Sequence, residues 1–313
     1  MNKLLLIPII LGGTLLLAGG VLLTVAIASN ANTPLVTEEK TINEAFANID
    51  VDIETSDLEF KVSEDDKTKV VFKETELEHH TAEVSENTLK IRFIDERPWY
   101  KRIFSGFKRI SATVYLPAGN YGDLKVRMST GDANIAEEFT FANYDVVLST
   151  GHVTSKANVT NEFKLETSTG NIDVLNAKPK SMNVKASTGD VKLQLVEVEN
   201  TLTINTSTGY ITFEDTKCKD LNVSASTGKI TLTRTIVDNH IEIETSTGDV
   251  TFDHSDAASL KIKTTTGDVR GTFNTNKIIY AQSKTGDIDV PHLTEGGICE
   301  ITTSTGDVYL RII

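Results

Sequence analysis

The sequence predicts an all-β protein: a β-solenoid, or β-helix-like stack, of about ten 19–20-residue coils with an N-terminal β cap, preceded by one transmembrane helix. Three observations carry that expectation. A glycine recurs on a fixed clock, apolar residues alternate with polar ones between the glycines, and a long uncharged run stands near the N-terminus.

The clock belongs to a Ser-Thr-Gly-Asp-like tetrad. Its glycines are Gly131, Gly151, Gly170, Gly189, Gly209, Gly228, Gly248, Gly267, Gly286 and Gly306, and every interval is 19 or 20 residues. A period held that tightly marks a repeat architecture, in which each unit buries its apolar side against its neighbours.

Aligned on the tetrad, the repeats show columns. Four residues before the motif threonine stand Val126, Val146, Leu165, Val184 and Ile204; six before it stand Leu124, Tyr144, Phe163, Met182 and Leu202. Period two with β-branched enrichment is the pattern of a strand with one buried face. Beyond the tetrad the phase slips, because the next apolar column (Ala133, Val153, Ile172, Val191, Ile211) lies three residues past the threonine. An odd step needs a corner or a bulge, and glycine accepts the positive φ that such a corner often requires. The ten glycines are therefore read as structural corners. Identical columns suit coils stacked in register ~4.8 Å apart, a rod on the order of 48 Å for ten coils. Thr245 and Thr264 should then lie inside, on adjacent coils. A stack of hairpins is the competing arrangement.

Around the repeats, the chain divides into a cytoplasmic stub (1–3), a transmembrane helix (4–28), a linker (29–45), a β cap region (46–123) and the solenoid (124–313). Leu4 to Ala28 carry no charge; as a helix they would span ~37 Å, enough for a ~30 Å hydrocarbon core. Lys3 places the short N-terminus in the cytoplasm, making a single-pass protein of the cell membrane with its C-terminal part outside. Secretion after cleavage near Ala28 is the alternative. In the cap region, Ile49, Val51 and Ile53, then Leu58 and Phe60, copy the two-strand pattern with Ser56-Asp57 in place of the tetrad, a degenerate first coil.

Few residues stand out chemically. Trp99, Tyr100, Lys101, Arg102, Phe104, Phe107, Lys108 and Arg109 form a basic–aromatic segment in a chain of net charge −13. It suits contact with an anionic lipid surface or a wall polymer, or packing of its aromatics on the cap. The acidic balance argues against nucleic acid. In the column after the glycine, Asp249, Asp268, Asp287 and Asp307 run together while Tyr210 and Lys229 interrupt it. Carboxylates ~5 Å apart would form at most a weak cation ladder, screened diffusely. No catalytic constellation, cofactor motif or metal set is found. Cys218 and Cys299 should not pair, because four repeats put them ~19 Å apart against a limit of ~7 Å. Cys299 is expected buried, and Cys218, between coils, as a partly exposed thiol.

The anchor, the unclocked strands, the Tyr115-Leu116-Pro117 to Leu124-Lys125-Val126 lead-in and the Ser-Thr-Gly-Asp-Val repeats together resemble the putative-adhesin family of Gram-positive bacteria. The resemblance covers residues 40–313. It implies a membrane-anchored β-strand-repeat domain of unknown function, found beside cell-envelope stress regulators, and offers no catalytic residue to transfer. Two function classes are open. One is a non-enzymatic adhesin or envelope-stress module, bound to the bilayer by its N-terminal helix and meeting a cell-wall polymer, anionic lipid, an antimicrobial peptide or an envelope-stress membrane protein. The other is a carbohydrate-active enzyme on a β-helix, which should interrupt the repeat with a long insertion. The even spacing favours the first.

Overall fold

The structure, a computed structural model, describes residues 34–99 and 109–313. The stub, the expected membrane helix and the start of the linker lie outside the described residues. Among the described residues, no helix is long and apolar enough to cross a membrane.

Every named element is a β-strand. One repeat explains the rest. Strand Glu162–Thr169 turns Phe163, Leu165 and Thr167 inward, and after Gly170 the short strand Ile172–Leu175 buries Ile172 and Val174. The next coil repeats this in parallel register, Phe163 opposite Met182 and Leu165 opposite Val184 on one face, Ile172 opposite Val191 on the other. A hairpin stack would be antiparallel, so the solenoid is the arrangement adopted. Thr245 and Thr264 are register partners, 6% and 3% exposed. Like side chains also stack through the core, as Tyr144 does on Phe163 with ring centroids 4.4 Å apart.

The clock glycines have φ between +132° and +155°. Space is as restrictive as conformation. A Cβ on Gly170 would stand 1.9 Å from the carbonyl oxygen of Gly151, and one on Gly189 would stand 2.1 Å from that of Gly170.

A second corner lies six residues after the glycine and uses other residue types. Asn176, Leu195, Asp215, Arg234 and His254 occupy the left-handed region with φ between +47° and +68°. Each turns the following side chain into the core: Ala177, Val196, Thr216, Thr235 and Ser255 are all 0% exposed. A register shift between Val198 and Thr201 adds a further bend. The central coils thus turn at three places, one more short side than the two-strand reading allowed.

That extra side corrects the reading of Cys218. It lies opposite Val198 and Val237 in an inward column and is 4% exposed. Both cysteines are free and buried, and burial pushes both thiols up to about 12.

Sequence order is not stacking order at the ends. Strand Gly297–Thr305 lies between Val250–Thr266 and Lys277–Thr285, and Val308–Ile312 lies between Val269–Phe273 and Ile288–Asp289. The Gly306 coil is therefore inserted between the Gly267 and Gly286 coils. Near-identical repeats fit either slot, so the sequence carries no signal for the exchange. The other end mirrors it. Strands Asn48–Thr55 and Asp57–Val62 lie between the Gly131 coil and the strands Thr88–Asp95 and Ser111–Leu116. Both chain-terminal coils have a neighbour on each side.

Antiparallel strands close the N-terminal end. Thr68–Glu74 pairs with Ser111–Leu116, Glu78–Ser85 pairs with Thr88–Asp95, and Val36–Ile42 adds to Thr68–Glu74. Residues 36–42, assigned to the linker from sequence, are thus an edge strand. Only Ile42 in it is buried, so no alternation betrays it. Covering strands of this kind blunt the edge of a stack.

His80 in this region is 4% exposed and stacks on Phe72 at 5.0 Å, with Nδ1 3.0 Å from Glu74 Oε2. Its Nε2 is buried without a partner. Burial outweighs the Glu74 carboxylate and holds its pKa below the ordinary 6.5. The unfolded chain then takes up a proton near pH 6.5 that the native protein refuses, so stability must fall as the pH drops from there toward the native pKa. Denaturant midpoints between about pH 7 and about pH 5 should show this decline, and His80→Asn should flatten it. An equal slope in both proteins would remove His80 from the pH response.

Candidate functional site

Pairing two backbones so closely at the glycine leaves the next residue's N–H facing the preceding coil. The side chain after the preceding coil's corner residue answers it. Asp132 N–H donates to Asp57 Oδ1 at 3.0 Å, His152 N–H to Asp132 Oδ1 at 2.8 Å, and Asn171 N–H to His152 Nδ1 at 3.0 Å. Asp190 N–H donates in turn to Asn171 Oδ1 at 2.9 Å, and Tyr210 N–H to Asp190 Oδ1 at 2.8 Å. Aspartate, asparagine and a histidine protonated on Nε2 share one property here, a short side chain with an acceptor. The Gly-Asp signature is a space requirement followed by an acceptor requirement.

The four C-terminal aspartates obey the same rule in the exchanged order. Asp268 N–H donates to Asp249 Oδ1 at 3.0 Å, Asp307 N–H to Asp268 Oδ1 at 2.7 Å, and Asp287 N–H to Asp307 Oδ1 at 2.9 Å. One oxygen of Asp249, Asp268 and Asp307 is therefore engaged by backbone. Among the described residues, no group of three or more His, Cys, Asp or Glu side chains is placed to hold a metal ion.

At Tyr210 and Lys229 the ladder stops. Neither side chain can place an acceptor under the next coil's N–H, so Lys229 and Asp249 lack the bond their equivalents make. Tyr210 is instead 60% exposed. Its ring borders a depression of about 430 Å³ lined also by Asp173, Asp190, Lys192, Thr212 and Lys229. Lys192 faces Glu214 at 3.8 Å; Lys229 makes no ion pair among the described residues. An aromatic face, two carboxylates and an unengaged cation thus meet on an open wall.

A second groove of about 460 Å³ runs along the face built by the strands before the glycine, past Lys185, Ser187, Asn205, Ser207, Glu244 and Ser246. Those residues keep their ordinary repeat positions, so nothing distinguishes that stretch from the rest of the wall. The broken ladder is the stronger candidate.

Matches to the Toastrack DUF4097 family model cover residues 46–201 and 197–313. The chain belongs to that family. Among solved structures, this Toastrack chain is similar to a putative lipid binding protein from Parabacteroides distasonis, at 13% identity over 90% of this chain and 98% of that one, with a TM-score of 0.51. Putative adhesins from Bacteroides fragilis (16% identity, 89% and 97% covered, TM-score 0.44) and P. distasonis (12%, 89% and 98%, 0.45) also align. At 13% identity the likeness to the first of these is one of fold alone. No curated protein matches.

Of the basic–aromatic segment, Tyr100, Lys101, Arg102, Phe104, Phe107 and Lys108 lie outside the described residues. Trp99 is 73% exposed, and Arg109 is exposed at the far side of the segment. The sequence marked Tyr210 and Lys229 only as interruptions of a carboxylate column. That they break a backbone hydrogen-bond ladder shows only in the folded chain.

Restoring the acceptor should stabilise the Toastrack chain. Tyr210→Asn is expected to raise unfolding free energy by about 0.5–1.5 kcal/mol, and Asp190→Ala to lower it by a similar amount. Denaturant unfolding measures both, and a destabilised Tyr210→Asn protein would contradict the ladder.

Proposed function

We propose that this protein is a non-enzymatic surface module, anchored in the cell membrane by residues 4–28 with its β-rod outside, and that it grips a cell-wall polysaccharide at Tyr210. The observation that carries this reading is the broken ladder. A position where the fold's own rule is given up, without a structural return, is where function is expected. Tyr210 exposes a flat apolar ring with a polar tip, suited to the C–H face of a sugar. Asp173 and Asp190 can accept from its hydroxyls, and Lys229 can meet an anionic substituent. The repeat has no insertion that would build an enzyme's cleft, and an open wall accepts a polymer passing along it.

A second reading rests on Trp99, whose exposure beside cationic sequence suits an anionic membrane surface. Both are separable in one set of measurements. The purified protein should bind isolated peptidoglycan or polyanionic wall polysaccharide, Tyr210→Ala should weaken that binding about 5–30-fold, and Trp99→Ala should leave it unchanged. Binding to phosphatidylglycerol vesicles that is lost with Trp99→Ala, with none to the polysaccharides, would favour the membrane. Undiminished polysaccharide binding by Tyr210→Ala would refute the site.

A further inference from the structure

The two coils on either side of the inserted C-terminal coil share an unusual pair. Lys277 is the one buried lysine among the described residues. Its side chain is 1% exposed and its Nζ stands 2.5 Å from Oδ1 of Asp256, whose side chain is 10% exposed. The Phe273 ring lies 5.9 Å from Nζ, and Cys299 on the inserted strand is fully buried.

Hydrogen-bond accounting singles out one atom. Asp256 Oδ1 accepts from the Ala257 N–H at 2.8 Å as well as facing Lys277, and Lys277 Nζ donates to Thr275 Oγ1 at 2.5 Å. Asp256 Oδ2 is buried with no partner. As an ion pair, the two side chains leave a carboxylate oxygen out of water and unsatisfied, an arrangement that buried pairs tolerate poorly.

We propose that Lys277 and Asp256 condense to an isopeptide bond between Nζ and Cγ, a covalent lock on the C-terminal end of the stack. One ammonium proton passes to Oδ1, the oxygen in contact with Nζ, and the freed amine lone pair attacks Cγ. In the tetrahedral adduct the nitrogen gives a second proton to Oδ2, the C–Oδ2 bond breaks, and Oδ2 leaves as water with the proton returned from Oδ1. One amide forms, one water is lost, and nothing is oxidised or reduced. Fixed proximity of the reacting groups replaces an encounter in solution, and exclusion of water disfavours the reverse hydrolysis. The product resolves the accounting. Its single oxygen, Oδ1, keeps the Ala257 N–H, its N–H faces Thr275 Oγ1, and the orphan oxygen is the atom that departs.

The location gives the bond a purpose. Asp256 belongs to strand Val250–Thr266 and Lys277 to Lys277–Thr285, which are not neighbours because Gly297–Thr305 lies between them. The lysine crosses at Gly297, where an added Cβ would stand 3.5 Å from Lys277 Cδ and 2.1 Å from the Ala258 carbonyl oxygen. A bond there ties the last coil of the stack to the coil beyond its neighbour, straddling the start of the inserted strand. It does not depend on what the rod binds.

Intact-mass spectrometry of the denatured full chain tests it. The expected mass is lighter than the sequence by one water, and a tryptic digest should give a branched peptide joining the Asp256 and Lys277 segments, uncut at Lys277. Lys277→Arg should restore the full sequence mass. A wild-type chain of full mass with a linear, cleaved Lys277 peptide overturns the proposal. A water-deficient chain without the branched peptide overturns it as well.

Discussion

At every clock corner two backbones meet with no room for a side chain between them. That approach, a glycine α-carbon against the previous coil's corner carbonyl (a glycine's at all but Gly131, which meets Ser56) at less than any Cβ could tolerate, governs most of the architecture. It sets the coils at strand spacing, aligns the columns so that like stacks on like, and turns one N–H per coil toward its predecessor. The residue after the glycine must then supply an acceptor. Asp132, His152, Asn171 and Asp190 meet that demand with three chemistries, and the motif is the imprint of two successive constraints rather than of a ligand.

A structure this regular makes its exceptions informative. Tyr210 and Lys229 abandon the acceptor where their neighbours keep it, and they do so on consecutive coils facing one depression. Lys277 abandons the rule that lysines stay in water, and it does so where the last coil is threaded between two others. The first exception lies on the wall and suits recognition. The second lies inside an end and suits cohesion, since the ends of a stack are where unravelling starts.

Much of this was legible in the sequence. The clock gave the repeat, and period two gave strands with one buried face. The phase slip located the glycine corner, and Thr245 and Thr264 are neighbours as the columns require. The second corner was invisible because Asn176, Leu195, Asp215, Arg234 and His254 share a backbone conformation and no side-chain chemistry. Cys218 was misplaced for the same reason. The exchange of the last two coils could not be read either, since repeats that look alike fit each other's slots. Strand Val36–Ile42 hides because an edge strand with one buried residue has no pattern to show. At the site, the sequence exposed the interruption at Tyr210 and Lys229 but not its meaning, which lies in backbone hydrogen bonds no composition reports.

The ladder itself can be measured directly. Residue-resolved amide hydrogen exchange on the native protein compares equivalent N–H groups down one column under one condition. The amides of His152, Asn171, Asp190, Tyr210 and Asp268, each held by a side-chain acceptor, should be protected, and those of Lys229 and Asp249 should exchange markedly faster. Uniform protection through Lys229 and Asp249 would mean that the side-chain acceptors do not hold the corner, and the break at Tyr210 would lose its significance.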